Sequence, residues 1–287
     1  MNHTERRNRL RTILAGNKCL SPASVYDALS ARIAEHVGYQ IGMLAGSVSS
    51  NTTLGAPDLT VITMTEFADQ IRRITRASSL SLIVDADHGY GNALNVMRTV
   101  EECEHSGVSA MTIEDTLLPT RFGNTTGSEE LISIEEGVGK IKAALAARQD
   151  GSLIIAGRTA ALKTEGVNGA VARAKAYALA GVDAIFLSGA KSLDQVKAVH
   201  DAVKLPIIAG LTLPSVTHED YAAVGVRVQL QGHQPVAAVV KVLHEVYEFL
   251  HNGGALEDVN SKMASNDDMK RLTRNSAYKA WQKEFLR

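Results

Sequence analysis

Two aspartates separated by one residue carry the clearest chemical signal in this sequence. Asp85 and Asp87 directly follow Leu80–Val84, an apolar run rich in β-branched residues that indicates a buried strand. Because residues i and i+2 of a strand face the same way, both carboxylates are expected at its carboxyl end. Gly89 and Gly91 follow and let the backbone approach a bound group closely. Such carboxylates suit a Mg²⁺ site, although an N-cap and a turn aspartate would show the same spacing.

Other polar side chains follow further predicted strands. Ser47 lies in a loop of small residues after Tyr39–Leu44, where a hydroxyl can meet a carboxylate; a plain turn is the alternative. Arg158 lies at the end of a later predicted strand. Its planar guanidinium can bind a carboxylate, or it can form a surface salt bridge. The remaining candidates after strands or in turns are Asp58, Glu114 and His233. For His233 the alternative is a histidine bonded to the backbone at a helix start.

Composition excludes several classes of protein. The chain has 287 residues, of which 45% are hydrophobic and 21% charged, with a net charge of −1. These values are typical of a soluble globular protein, and there is no basic stripe for nucleic acid and no run long enough to span a membrane. Met1–Arg11 is polar and is not a secretory signal, so the cytoplasm is expected. Cys19 and Cys103 are too scattered for a disulfide framework or a zinc site.

Strand-like and helix-like segments alternate along the chain and would position these side chains. Glycines separate helix from strand at Gly38, Gly107, Gly181 and Gly225. The pattern predicts eight strands and favours an α/β fold, a (β/α)₈ TIM barrel, with a doubly wound open sheet as the alternative. In a barrel, all seven candidate residues would meet at the carboxyl ends of the strands. We expect residues 1–251 to form the barrel and 252–287 a helical extension.

The segment 116–131 is the longest without a periodic pattern. It contains Pro119, Gly123 and Gly127. Long loops of this kind in compact domains are usually lids or disordered, and we favour a lid.

Five stretches of this sequence resemble the signatures of a known superfamily. They are Gly46-Ser47-Val48, Leu54-Gly55-Ala56-Pro57-Asp58, Asp85-Ala86-Asp87-His88-Gly89-Tyr90-Gly91, Ile113-Glu114-Asp115 and Gly157-Arg158-Thr159. In this order they are similar to the isocitrate lyase/phosphoenolpyruvate mutase superfamily, from about Ser21 to Leu250. The resemblance is closest to its Mg²⁺-dependent oxaloacetate decarboxylases.

The resemblance implies roles for particular residues. In the decarboxylase branch it implies Asp85 as the Mg²⁺ ligand, with Ser47, Arg158 and His233 at the substrate; Mn²⁺ is a possible substitute. The wider superfamily implies further metal contacts, largely through water, by Asp58, Asp87 and Glu114. It also implies a C-terminal helix exchanged between paired subunits and a homotetramer built as a dimer of dimers.

Two departures from the superfamily pattern bear on the reaction. Its lyases carry a lid cysteine that acts as acid and base, where this chain has Thr120–Asn124 with Phe122 at the centre. Without that thiol, cleavage of a 2-hydroxy acid lacks a proton transfer, whereas decarboxylation of a 2-keto diacid needs none. Relatives also often have Asp or Asn at Ala160, so the substrate can differ from oxaloacetate.

The predicted function is Mg²⁺-dependent decarboxylation of oxaloacetate, or of a closely related 2-keto dicarboxylate, to pyruvate and CO₂ through a metal-stabilised enolate. Asp85, Arg158 and His233 are the predicted catalytic residues. Three alternatives remain: a methylisocitrate-type carbon–carbon lyase, a phosphonate mutase, and a barrel that binds a dicarboxylate without turning it over.

Overall fold

Short apolar segments of the chain form one parallel sheet in a computed structural model that describes residues 1–124, 129–210 and 212–286. Eight strands, each paired with the next along the chain, run in sequence order. They are β1 (Ala23–Ser24), β2 (Ile41–Leu44), β3 (Ser81–Asp85), β4 (Ala110–Glu114), β5 (Ile154–Thr159), β6 (Ala184–Ser188), β7 (Ile207–Gly210) and β8 (Val226–Gln229). Strands buried on both faces read as continuous apolar runs, which is why the sequence reveals them.

The two edges of this sheet meet. Leu20, just before β1, pairs in parallel with Val228 of β8. The Leu20 N–H donates to the Arg227 carbonyl at 3.0 Å, and the Gln229 N–H donates to the Leu20 carbonyl at 3.0 Å. The sheet therefore curls round into a (β/α)₈-like fold, which confirms the predicted fold class and rules out the open doubly wound sheet.

Helices connect the strands and precede and follow the sheet. They are α1 (His3–Ala15), α2 (Ala28–Val37), α3 (Gly46–Ser49), α4 (Met64–Ala77), α5 (Ala93–His105), α6 (Ile134–Ala147), α7 (Ala161–Thr164), α8 (Gly166–Ala180), α9 (Leu193–Val203), α10 (His218–Ala223), α11 (Gln234–His251), α12 (Asn266–Leu272) and α13 (Asn275–Phe285), with a π-helical turn Ser50–Leu54 after α3 and a 3₁₀ segment Leu256–Lys262. Gly38 and Gly181 end α2 and α8 with φ of 107° and 105°, a conformation that favours glycine. None of the described helices is long and apolar enough to cross a bilayer.

The predicted lid leaves the barrel between β4 and α6, and its two stems are fixed to each other. Thr116 pairs antiparallel with Leu131. The Leu117 N–H donates to the Glu130 carbonyl at 2.7 Å. Phe122, farther along the loop, is fully exposed. Gly127, with the rest of 125–128, lies outside the described residues.

The segment after β8 is the part of the fold that packs least against the barrel. Helix α11 has 18 residues, and none of them is buried. Beyond it, the chain turns sharply at Arg274, which has a φ of 56° and separates α12 from α13. Contacts to the barrel include hydrogen bonds from Arg274 to the Ala77 carbonyl at 2.8 Å and from Arg32 to the Leu272 carbonyl at 3.1 Å.

Candidate active site

A cavity of about 340 Å³ opens among the carboxyl ends of the strands. Five of the seven predicted site residues line it, namely Ser47, Asp58, Asp85, Arg158 and His233. The other lining residues are Met43, Ala45, Phe186, Ser188, Gly210, Thr212, Leu230, Gln231 and Gly232. Its volume suits a small organic acid, at the lower end of the range for ligand pockets, about 300 to 1,000 Å³. Most of the site residues predicted from the sequence therefore lie together in the structure.

Arg158, on β5, is the cation at the centre of this site. Its Nη1 pairs with Oδ2 of Asp85, and its Nε lies 2.9 Å from Oε2 of Glu114. Its guanidinium carbon lies 5.1 Å from the ring centroid of Phe186, which supports it from one face. An arginine has five N–H donors in a planar fork, so donors remain for a substrate carboxylate. The surface salt bridge considered for this arginine is therefore wrong.

Asp85 ends β3 and is held from two sides. Its Oδ1 accepts a hydrogen bond from the Thr112 hydroxyl at 3.1 Å, and its Oδ2 pairs with Arg158. The side chain is almost buried but still reaches the cavity. Its orientation is therefore set before any ligand enters, as efficient binding of a metal or substrate requires.

Asp87 is placed differently from the strand geometry expected for it. The strand ends at Asp85, and Asp87 has a φ of 46°, in the left-handed region. Its N–H donates to Oδ1 of Asp85 at 3.3 Å, and its carboxylate packs against Gly46, where a Cβ would lie 2.5 Å from Oδ1. Asp87 therefore lies behind the cavity rather than in its lining.

The carboxylates of the site are crowded and largely withdrawn from water. Burial and the neighbouring Asp85 raise the pKa of Asp87 to about 8. Burial also raises the pKa of Glu114, to about 7, against the opposing effect of Arg158. Asp58 is exposed at the rim, yet partial desolvation and Asp85 raise its pKa as well. One arginine does not balance these acids, so the site favours an additional cation.

Hard oxygen donors of this kind suit Mg²⁺ or Mn²⁺. In the described residues, no three His, Cys, Asp or Glu side chains converge tightly enough to enclose a metal. Mg²⁺ does not need such a cage, because it usually keeps several waters and takes only one or two protein carboxylates. Asp85 at the cavity, with the other acids behind it and at the rim, fits that mode of binding.

His233 directly precedes α11 and is anchored to the first strand. Its Nδ1 lies 2.9 Å from the hydroxyl oxygen of Ser24, which is buried at the end of β1. Burial lowers the pKa of His233, which favours the neutral ring. The contact to a side chain contradicts the alternative of a histidine bonded only to the backbone.

Several residues of the site escape detection in the sequence. Ser24, Thr112 and Phe186 are common residue types with no motif, and only their position near strand ends could have indicated them. Ala160, at which relatives often have Asp or Asn, is buried and lies outside the cavity lining.

Comparisons with known proteins agree with this geometry. A family model described as phosphoenolpyruvate phosphomutase matches residues 10–251. The chain is 50% identical over 270 residues to an oxaloacetate decarboxylase of Rhodopseudomonas palustris strain BisA53, covering 94% of this chain and 92% of that protein. It is 48% identical over 276 residues to an oxaloacetate decarboxylase of Bradyrhizobium diazoefficiens, covering 96% and 95%.

Solved structures show the same relationship. The crystal structure of a phosphonopyruvate hydrolase in complex with oxalate and Mg²⁺ superposes with a TM-score of 0.86 at 29% identity, covering 100% of both chains. The family model covers most of the chain, and the relatives at about half identity cover nearly all of it. The chain belongs to the phosphoenolpyruvate phosphomutase family.

Proposed function

We propose that this chain is an oxaloacetate decarboxylase that uses Mg²⁺, or Mn²⁺ in its place, and releases pyruvate and CO₂. The observation that carries the proposal is the Asp85–Arg158 pair in a small cavity that holds both an acid for a metal and a cation for a carboxylate. Relatives named oxaloacetate decarboxylase, at about 50% identity over nearly the whole chain, support the substrate. The cytoplasm is the proposed location.

The metal would be held by Asp85, with Asp58, Asp87 and Glu114 contributing through water. When bound, it would act as a Lewis acid that stabilises negative charge on the substrate's keto oxygen. A related phosphonopyruvate hydrolase has been solved with oxalate and Mg²⁺. Oxalate offers two adjacent oxygen-bearing carbons, as does the 2-keto carboxylate end of oxaloacetate.

The protein's own groups bind and orient the substrate. The remaining donors of Arg158, with the hydroxyl and amides around Ser47, hold the carboxylate next to the keto carbon. The bond from C3 to the far carboxylate then breaks, CO₂ leaves without a proton, and the electron pair passes through C2 to the keto oxygen. His233 would donate a hydrogen bond as charge develops there, which favours the transition state over the ground state. The enolate of pyruvate is then protonated at C3 and released.

A carbon–carbon lyase is less well supported. The described part of the lid, including Phe122, has no thiol that could move a proton, and Cys19 and Cys103 are both buried in the core. The mutase and the non-catalytic barrel retain the same cavity, so turnover is the distinguishing property.

An NMR assay of the purified protein with Mg²⁺ against a panel of 2-keto and 2-hydroxy diacids tests the proposal. We expect pyruvate from oxaloacetate and no succinate from methylisocitrate; lyase turnover, or none at all, contradicts it.

We further propose a homotetramer, a dimer of dimers in which paired subunits exchange a C-terminal helix. Support comes from α11, whose apolar side chains Val239, Val240 and Leu243 are exposed in the single chain. They border a groove of about 550 Å³ beside α11. A helix after the last strand of a barrel normally buries one face, so this face needs a partner surface.

A further inference from the structure

We propose that Ser24 is a positioning residue that holds His233 in the tautomer that carries its proton on Nε2. The inference rests on the proposed function for the effect on turnover, but not for the tautomer itself. It assigns a role to β1, a strand from which the sequence yields no candidate for the site.

The geometry of the pair is specific. The hydroxyl oxygen of Ser24 lies 2.9 Å from Nδ1 of His233. Ser24 belongs to β1 and pairs in register with Met43 of β2, which lines the cavity. A rigid strand therefore carries the hydroxyl, whereas His233 stands in the loop before α11 and depends on side-chain contacts for its orientation.

The direction of the hydrogen bond follows from the surroundings of Ser24. Ser24 is buried as a residue, and its hydroxyl has no other hydrogen-bond acceptor within the described parts of the chain. If Nδ1 carried the proton, Ser24 would accept that bond and its own hydroxyl hydrogen would be left unsatisfied, which costs free energy. With Ser24 as donor, Nδ1 is the acceptor and the proton of the neutral ring resides on Nε2.

That tautomer suits the ligand expected in the cavity. The ring of His233 lines the cavity, and Nδ1 is engaged by Ser24, so Nε2 is the nitrogen available to a bound molecule. A dicarboxylate and its enolate present anionic oxygens. An Nε2–H donates to such an oxygen, while a lone pair would repel it, so the Ser24 contact selects the useful form.

The first measurement observes the tautomer directly. Protein labelled with ¹⁵N at histidine is compared with Ser24→Ala by two-dimensional NMR of the imidazole nitrogens, and the His233 signals are assigned by their loss in His233→Gln. We expect protonated Nε2 in the wild type and a mixture of tautomers in Ser24→Ala. A wild-type ring protonated at Nδ1, or an unchanged tautomer in Ser24→Ala, overturns the inference whether or not the protein decarboxylates oxaloacetate.

The second measurement is a double-mutant cycle on turnover. We expect Ser24→Ala to lower kcat about tenfold and to change KM little. A loss of about this size is typical when a group that orients a ligand-binding residue is removed. Ser24→Thr keeps the hydroxyl and is expected to restore kcat within about threefold. In the His233→Gln background Ser24→Ala should have no further effect, because Ser24 acts through His233. Additive losses in the double variant contradict the proposed role.

A matched control addresses folding. Ser109 is a fully buried serine at the start of β4, at the opposite end of the barrel, and its hydroxyl has no partner in the described chain. Ser109→Ala therefore makes the same chemical change away from the site and should leave both kcat and the His233 signals unchanged. If Ser24→Ala loses its near-ultraviolet circular dichroism, the test of the tautomer rests on Ser24→Thr alone. A Thr variant that has the wild-type circular dichroism but a changed tautomer overturns the inference. An unchanged tautomer in that variant supports it.

Discussion

The ion pair between Asp85 and Arg158 joins two residues to which different tasks are assigned, one toward a metal and one toward a carboxylate. Oδ1 of Asp85 is fixed by Thr112, and Oδ2 by Arg158. A metal at Asp85 would compete with Arg158 for the same carboxylate and free more of the guanidinium for substrate. Metal binding and substrate binding are therefore expected to favour each other.

Replacing Asp85 by Asn tests the role of this carboxylate toward the metal. The amide keeps the shape of the side chain but loses the charge, so we expect Mg²⁺ binding to disappear and turnover to fall by at least about a hundredfold, as for loss of one preorganised electrostatic group. Isothermal titration calorimetry measures the metal, and release of pyruvate measures turnover. Asp69→Asn changes an exposed acid paired with Arg72 and should behave as the wild type. Activity equal to the wild type in Asp85→Asn, or undiminished in excess chelator, would disprove the role of the metal.

Phe122 offers a second test at the residue scale. Its side chain is fully exposed, so Phe122→Cys should leave the fold and its stability unchanged. An aromatic in the lid can exclude water without supplying a proton, and decarboxylation should stay within roughly tenfold, or about 1.4 kcal/mol of barrier. Pyruvate release is measured for both proteins, with circular dichroism as the control for folding. Complete loss of decarboxylation would show that the aromatic ring takes part in the chemistry.

At the scale of elements, α1 closes the end of the barrel opposite the cavity. Arg7 of this helix is buried, and its Nε and Nη2 donate to the carbonyls of Val108 and Glu104 at 2.9 and 2.7 Å. Its Nη1 pairs with Asp150 at 2.7 Å. The Val108 carbonyl just before β4 has no other partner in the described chain, whereas the Glu104 carbonyl at the end of α5 also accepts from the Gly107 N–H at 3.1 Å.

Arg7→Met keeps much of the side chain's apolar bulk and removes these bonds. Because it leaves the Val108 carbonyl without a partner and removes a charged donor from the Glu104 carbonyl and from Asp150, we expect the free energy of unfolding in urea to fall by about 3 kcal/mol. The specific activity of the folded variant should not change, since the cavity is at the other end. Arg98→Met removes an exposed pair with Glu102 and should shift stability by no more than about 0.5 kcal/mol. Equal stabilities of the two variants would refute this account of α1.

Sequence reasoning succeeds and fails at particular elements for physical reasons. The helix Ala93–His105 and the strand ends at Asp85 and Glu114 follow from local patterns, because apolar periodicity and glycine stops act within a few residues. The partnership of Ser24 with His233 joins residues 209 positions apart, and no local pattern encodes it. The fold could therefore be predicted closely, and the site only as far as its residues lie at strand ends.

At the scale of the whole molecule, apolar surface accumulates on one part of the chain. Val239, Val240 and Leu243 on α11 and Trp281, Phe285 and Leu286 in and after α13 are all exposed. Large contiguous apolar surfaces on soluble proteins usually mark interfaces. By contrast, the helices α5, α6 and α8 bury apolar residues against the strands and one another. The segment after β8 is thus the part of the molecule that a second copy would cover.

Removing the extension tests its share in assembly. For a protein ending at Asn252, we expect multi-angle light scattering to give a smaller mass than the full chain, for which we expect four copies of 30.7 kDa. The cut leaves α11 in place and removes Trp281, Phe285 and Leu286, so it separates the contribution of the tail from that of the helix.

A full-length Val240→Asp variant makes the complementary change, since a charge within a buried apolar interface is costly unless paired. If α11 carries the exchange between paired subunits, Val240→Asp should give monomers, whereas loss of the tail alone should leave dimers. A truncated protein with the mass of the full chain would show that the extension serves another purpose, because burial of these apolar side chains would then not be needed to hold the assembly together.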